Sequence, residues 1–477
     1  MAKKLKQTFA TGSDQISQTF IIESWHVSQS VDAFTGIQDY DIYISGSLNI
    51  TGSLTNGVSN NQATGLHSHA EGINNKSIGS YSHVEGAGNQ ALGPYSHAEG
   101  ASTIAYNTGS HTEGNHTIAS GSDSHAEGHF TLTIGNWSHA EGRYTTSSGQ
   151  WSHAEGYLSI SSGSYSHAEG SETISLGANS HAEGDSNISS GNGSHAEGYS
   201  NISSGSHSHV EGQNNLSLGN GSHAEGISNQ SIGLYSHVEG ANSISYGEGS
   251  HAEGDNSRAD GDYSHTEGYQ TNTSGSYSHA EGYNSTSNGE GSHVEGRNNI
   301  TNGVYSHAEG TSNETNGDSS HAEGQGNITN GEFSHAEGQS TTAQGSGSHS
   351  EGQATTANGN FSHAQGNASI TNGDYSFAAG EGTIAEGLGQ FVIGSYNITS
   401  SVSHSFIVGN GSSDVNKSNL IQTSGSLINI TGSLIISGGL FVLPLQSSSS
   451  PIEGSMFFRN NLIYVYNGST WKSASLS

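Results

Sequence analysis

The stretch Ser68-His69-Ala70-Glu71-Gly72 decides the fold, because it returns with little change at a fixed interval along most of the chain. Its histidine recurs at every fourteenth position, from His69 through His83 and His97 to His363, 22 times without insertion or deletion. A short period sustained this long marks a solenoid, in which each repeat is one coil stacked on the last. Neighbouring side chains in a strand point to opposite sides. Ser68, Ala70 and Gly72 therefore share one side, and His69 and Glu71 share the other. The first side admits only Ser, then Ala, Val, Thr or Ser, then Gly, as a narrow interior would require.

The rest of each coil follows the same logic. The sixth residue after the His is Asn, Ser or Thr, as at Asn75, Thr103 and Asn201, and the eighth is Ala, Ser or Thr; both are read as inward. The seventh varies from Lys76 through Ile160 and Arg258 to Glu314 and is read as outward. The tenth is Gly in every copy but one, where Asn107 stands. Asn replaces Gly best where the backbone has positive φ, so that conformation is expected there. Two short strands and two tight turns per coil give an all-β fold, a parallel β-roll or solenoid.

On these positions, residues 67–411 resemble the YadA-type head repeat of trimeric adhesins, a left-handed parallel β-roll whose coil has a small-x-Ala-x-Gly strand and a second Gly-ended turn. The later coils, Phe391-Val392-Ile393-Gly394 and Phe406-Ile407-Val408-Gly409, are similar to the family's apolar form. The resemblance implies a homotrimer in which the two outward positions of that strand meet on the threefold axis. In this chain they are His69 and Glu71, His83 and Glu85, His97 and Glu99, His181 and Glu183, His279 and Glu281, and His335 and Glu337, with their copies. Phe391, Ile393, Phe406 and Val408 would form an apolar seam on the same axis.

Outside the roll, 1–44 is read as an N-terminal docking or capping region, since Gln18–Trp25 and Tyr40–Ser45 look like strands. Segments 45–66 and 412–450 are read as β connectors, because Ser45–Leu54 (SGSLNITGSL) is echoed by Ser424–Leu434 (SGSLINITGSL). The end, 451–477, is read as a terminal hairpin module with a turn at Asn460-Asn461.

Composition narrows the function. The 477 residues include 70 Gly and no Cys, only 29% are hydrophobic, and the net charge is −32. So few apolar residues cannot build one globular core, and the charge disfavours nucleic acid and anionic membrane surfaces. No run of apolar residues is long enough to suggest a membrane span, and no apolar run of signal-peptide length follows the basic start.

His-x-Glu on one face is a plausible metal pair, but coils about 4.8 Å apart would set neighbouring ions against each other. A structural His/Glu ladder is preferred, and no cofactor or metal is expected. Between Ser77 and Asn416 the only basic side chains apart from His are Arg143, Arg258 and Arg297. Histidine is thus the only partner for the motif Glu in matching number. His–Glu hydrogen bonds within or between chains, with raised His and depressed Glu pKa values, are expected, with stability greatest in mild acid. Aromatic residues two places before the His, among them Tyr81, Tyr95, Trp137, Trp151 and Tyr165, form a surface ridge that could stack on host glycans or simply cover the turn.

A repeated coil gives no place where catalytic groups converge, so the chain is not expected to be an enzyme. The expected function is a structural phage virion fibre or spike, on tail or capsid, with itself and other virion proteins as partners, located on the particle. A bacterial trimeric adhesin at the cell surface is the alternative, and a solenoid polysaccharide depolymerase a more distant one.

Overall fold

A computed structural model of the chain describes residues 54–56, 60–425, 427–431, 456–459 and 462–475. The expected docking strands at Gln18–Trp25 and Tyr40–Ser45 lie outside these residues. The described chain falls into two compact units, Met1–Ser200 and Asn201–Ser477. Each contains a parallel β-solenoid whose strands pair with their copies one repeat further along the sequence.

One coil has a motif strand of five residues and a return strand of two, for example His97–Ala101 and Ile104–Ala105 in the first unit. In the second unit His279–Tyr283 and Thr286–Ser287 play the same parts. Each strand pairs in parallel with its copy in the next coil, so that identical positions face one another: His125 with His139, Ala126 with Ala140, Glu127 with Glu141. The stacking begins upstream of the first motif. Leu54–Asn56 pairs with His69–Glu71, and Gln62–Ala63 with Lys76–Ser77, so the roll takes in part of the segment read as a connector.

The interior is as narrow as the alternation requires. Ser82, Val84, Asn89 and Ala91 are almost wholly buried, and so are their copies. Polar atoms that cannot reach water need partners, and the small residues supply them. Ser82 donates through Oγ to the Gly79 carbonyl (2.6 Å) and shares a bond with Ser77 Oγ (2.7 Å). Asn89 spans two coils. Its amide donates to the carbonyls of Glu85 (2.6 Å) and Gly100 (2.7 Å), while its Oδ1 accepts from the Thr103 N–H (2.9 Å). In the second unit Asn215 and Asn229 repeat the arrangement. Where Thr holds this place, its hydroxyl is buried without a partner at Thr103, Thr117, Thr131 and Thr145, whereas at Thr173 and Thr341 it donates to the side chain one coil back.

The glycines overturn one expectation. Positive φ belongs to the motif Gly, as at Gly128 (φ 112°), and not to the tenth-position Gly or to Asn107. The tenth position needs Gly for space: a Cβ on Gly121 would lie 1.8 Å from the carbonyl oxygen of Gly135 in the next coil. The constraint at the tenth position is contact between coils, not backbone conformation.

Parallel stacking runs through Phe377–Glu381 and Phe391–Ser395 to Phe406–Asn410. There the direction reverses, as Asn419–Ser424 pairs antiparallel with Phe406–Asn410 and then with Leu427–Ile430. The terminal module is a three-stranded antiparallel sheet, Met456–Arg459, Leu462–Tyr466 and Trp471–Ser475, one strand more than a hairpin.

Replacing Asn89 by Ala strands a buried N–H and two carbonyls and is expected to destabilise its coils by about 2–3 kcal/mol. Gly121→Ala should be worse, because backbone must move, and Thr117→Asn should stabilise by about 1 kcal/mol. Amide hydrogen exchange around these coils, with thermal melts, checks the order.

Candidate functional site

The outward face of the motif strand is the most uniform surface of the molecule. Because coils stack in register, each histidine ring lies on its copy. In the first unit His69 and His83 are 5.0 Å apart between ring centroids and His111 and His125 4.5 Å, with nearly parallel planes. In the second unit the spacing is similar, but His293 tilts by 44° against His279 and by 39° against His307.

At many levels the Glu lies beside the His of its own coil. The Nε2–Oε2 distance is 3.7 Å for His69–Glu71 and His181–Glu183, and 4.0 Å for His83–Glu85 and His97–Glu99. These separations exceed a hydrogen bond. The Nε2 atoms of His69, His83, His97, His181, His279 and His335 are buried and have no hydrogen-bond partner. The expected His–Glu hydrogen bonds are therefore not made within the chain at these coils.

The expected direction of the histidine shift is also reversed. Burial, followed by the neighbouring histidines, pushes His125, His153 and His251 down to about 4. The same causes, opposed by nearby Glu, lower His97, His181, His279 and His335. Two unit charges about 4.8 Å apart repel by about 3–4 kcal/mol at an effective dielectric of 20. The register that repeats Glu also repeats His, so each ring meets two potential cations as well as its carboxylates. Burial and these neighbours together keep His97, His125, His153, His181, His251, His279 and His335 neutral at neutral pH.

The apolar residues assigned to the seam continue this column. Phe377 and Phe391 stack at 4.7 Å, and Phe391 and Phe406 at 5.7 Å. Phe391 is exposed, and Ile393, Phe406 and Val408 are partly so.

The aromatic ridge forms a second column. Tyr81 stacks on Tyr95 at 5.1 Å, Trp137 on Trp151 at 5.0 Å and Trp151 on Tyr165 at 4.7 Å. All five have positive φ, between 55° and 60°. That backbone is costly for a bulky residue, and stacking worth about 0.5–1.5 kcal/mol per pair offsets part of it. The rings meet face to face and turn their edges to solvent. The sequence held a signal for the strain: the same position is Gly at Gly109, Gly193, Gly221 and Gly249.

The outward face of the return strand shows what sequence reading missed. Its seventh position is aliphatic at Ile104, Ile118, Leu132, Ile160, Ile174 and Ile188 of the first unit. Ile134 and Leu176 stand exposed beside them. In the second unit the ninth position is instead an amide ladder, Asn288 to Asn302 (2.8 Å), Asn302 to Asn316 (2.7 Å) and Asn316 to Asn330 (2.8 Å). The three arginines lie over tyrosines: Arg143 over Tyr144, Arg258 over Tyr246 and Arg297 over Tyr283. Among the described residues the one ion pair made by Arg or Lys is Arg258–Asp260.

A search against known protein families finds no family that matches the chain, and a search of curated proteins finds no match.

The lowered histidines fix the sign of the pH response. A folded pKa below the unfolded value means that the unfolded chain binds more protons between the two, so stability falls as pH drops. Thermal melts should show a stable plateau above about pH 6.5 and a decline from there toward pH 4. A maximum in mild acid would contradict the neutral stack.

Proposed function

We propose that this chain is a homotrimeric structural fibre or spike of a phage particle, joined to other virion proteins through its N-terminal region and acting in attachment to the host surface without catalysis. The observation that carries the trimer is the uniformity of the His/Glu face. Positions exposed to solvent drift, as the return-strand row does when Ile104 gives way to Thr146, Arg258 and Glu314. The motif positions do not drift, and the Nε2 atoms of His69, His83 and His97 among them are buried without partners within the chain. A surface held constant through both units fits repeated contact with copies of itself. The likeness of the repeat to the YadA-type head supports the same arrangement, with Phe391, Ile393, Phe406 and Val408 on the same axis.

The fibre reading rests on the architecture. Stacked small coils make a stiff spacer whose side chains repeat, and the net charge of −32 keeps such spacers apart from one another and from nucleic acid. The aliphatic return-strand row of the first unit is the rival contact surface, and a direct experiment separates the two.

The purified chain is expected to have a native mass three times its 49.1 kDa by sedimentation or light scattering. The chain has no cysteine, so single cysteines report contacts cleanly. Oxidation should cross-link Glu169→Cys between chains and leave Ile174→Cys uncoupled. The opposite result would move the interface to the return strands, and a monomer would remove the trimer. Gold-labelled antibody should decorate phage particles; labelling of bacterial cells alone would favour the adhesin. Release of oligosaccharides from host polysaccharide would overturn the non-catalytic reading.

A further inference from the structure

The histidine column of the second unit ends differently from the way it runs. In the coil of His363 the motif Glu is replaced by Gln365, and in the next coil the motif His by Phe377, whose ring meets His363 edge-on at 5.2 Å and 81°. His349 and His363 are 4.4 Å apart between centroids, against 4.8 Å for His321 and His335. At His69 and Glu71, as at His223 and Glu225, the His–Glu approach lies within one coil. Here Glu351 reaches forward, and its Oε2 lies 3.5 Å from Nε2 of His363 in the following coil. Gln365 donates to the other oxygen, Oε1, at 3.3 Å, which leaves Oε2 free to face the rings.

Three donors thus converge. His349 Nε2, His363 Nε2 and a Glu351 carboxylate oxygen all lie within 4.8 Å of one another. Both nitrogens are buried and without a hydrogen-bond partner.

We propose that His349, Glu351 and His363 bind one divalent first-row transition cation of the zinc class. Two imidazoles and a carboxylate suit zinc, cobalt or nickel, whereas calcium and magnesium take oxygen ligands. Three protein donors leave a fourth position for water, and because the two rings stack at 18°, metal–nitrogen bonds of about 2.1 Å require them to turn out of the stack until their in-plane lone pairs converge. Gln365 orients the carboxylate as an outer-shell partner, and Phe377 closes one side against solvent. Similar groups occur at His111, Glu113 and His125, at His251, Glu253 and His265, at His321, Glu323 and His335, and at His335, Glu337 and His349. The last two share histidines with one another and with this site, so these adjacent groups cannot all be filled, and the first two lie within the uniform column with no Gln or Phe beside them. The end of the column is favoured because Gln365 and Phe377 carry no charge. The site is complete within one chain, so it does not rest on the trimer.

The full-length protein, stripped with chelator, should take up about one zinc ion per chain in equilibrium dialysis with metal analysis, and no calcium in parallel. Glu351→Gln and His363→Gln should each weaken binding at least tenfold, while Glu155→Gln, in the middle of the first unit's column, should not change it. Cobalt bound to the unmodified protein should show visible bands of a four-coordinate nitrogen and oxygen site, a readout that needs no variant to fold. Absence of saturable zinc uptake, absence of the cobalt bands, or an equal loss in Glu155→Gln would overturn the proposal.

Discussion

The structure depends on how closely one coil can approach the next. Two glycines per coil lie where a side chain would collide with backbone: a Cβ on Gly128 would lie 2.1 Å from the Gly142 oxygen, and one on Gly121 1.8 Å from the Gly135 oxygen. That contact holds the coils at ladder spacing and leaves no slack for the repeat to lengthen. A coil this tight has room inside for a methyl, a hydroxyl or a short amide. The core therefore cannot draw on large apolar side chains and relies on hydrogen bonds whose donors and acceptors recur at every level. Asn at the sixth position is the fullest solution, its side chain serving its own coil and the next. Thr fits the space, but at Thr103 and Thr117 its hydroxyl is left without a partner.

The same register governs the exterior. A side chain repeated at ladder spacing must meet its own copy, so each outer position is selected for what it does to itself. Rings and amides gain from the meeting, as Trp137 on Trp151 and Asn302 on Asn316 show. Charges lose. Imidazole tolerates the position because it can stack while neutral, and its lowered pKa is the consequence of stacking beside other histidines in a half-buried row. The arginines illustrate the converse. Arg143, Arg258 and Arg297 never occupy the motif column, and each lies over a tyrosine instead.

The period, the two strands and the interior set were legible in the sequence because alternation and invariance both report steric exclusion, and each copy repeats the test. Conformation was less legible. Asn107 pointed to positive φ at the tenth position, yet the positive-φ positions are the motif Gly, the fifth residue after the His, as at Phe130 and Leu158, and the residue two before the His, where Tyr, Trp and Gly alternate. A large ring in a left-handed conformation is unexpected from local preference and becomes acceptable only through stacking on its copy, a whole coil further along the chain. The histidine charge was misjudged for a related reason. Counting acids against bases treats the column as a set of pairs, while the protonation of each ring depends on the rings above and below it. The reversed strand direction after Asn410 and the third strand of the terminal sheet arise where the repeat has ceased to supply copies for comparison.

A perfect repeat has no distinguished position, and chemistry needs one. Where ligand sets adjoin in the His/Glu column, as those from His321 to His363 do, each is contested by the set beside it, since neighbouring groups share a histidine and a second ion would sit within a few ångströms of the first. Ending the column removes the competitor on one side. At His363 the ending is made with Gln365 and Phe377, which keep the strand geometry and the register while withdrawing the charge. Glu351 responds by leaning across the gap between coils, where Glu169 stays beside the histidine of its own coil. In a solenoid of this kind, specific function is therefore to be sought where the repeat decays, and the most regular stretch is the part most completely explained by stacking alone.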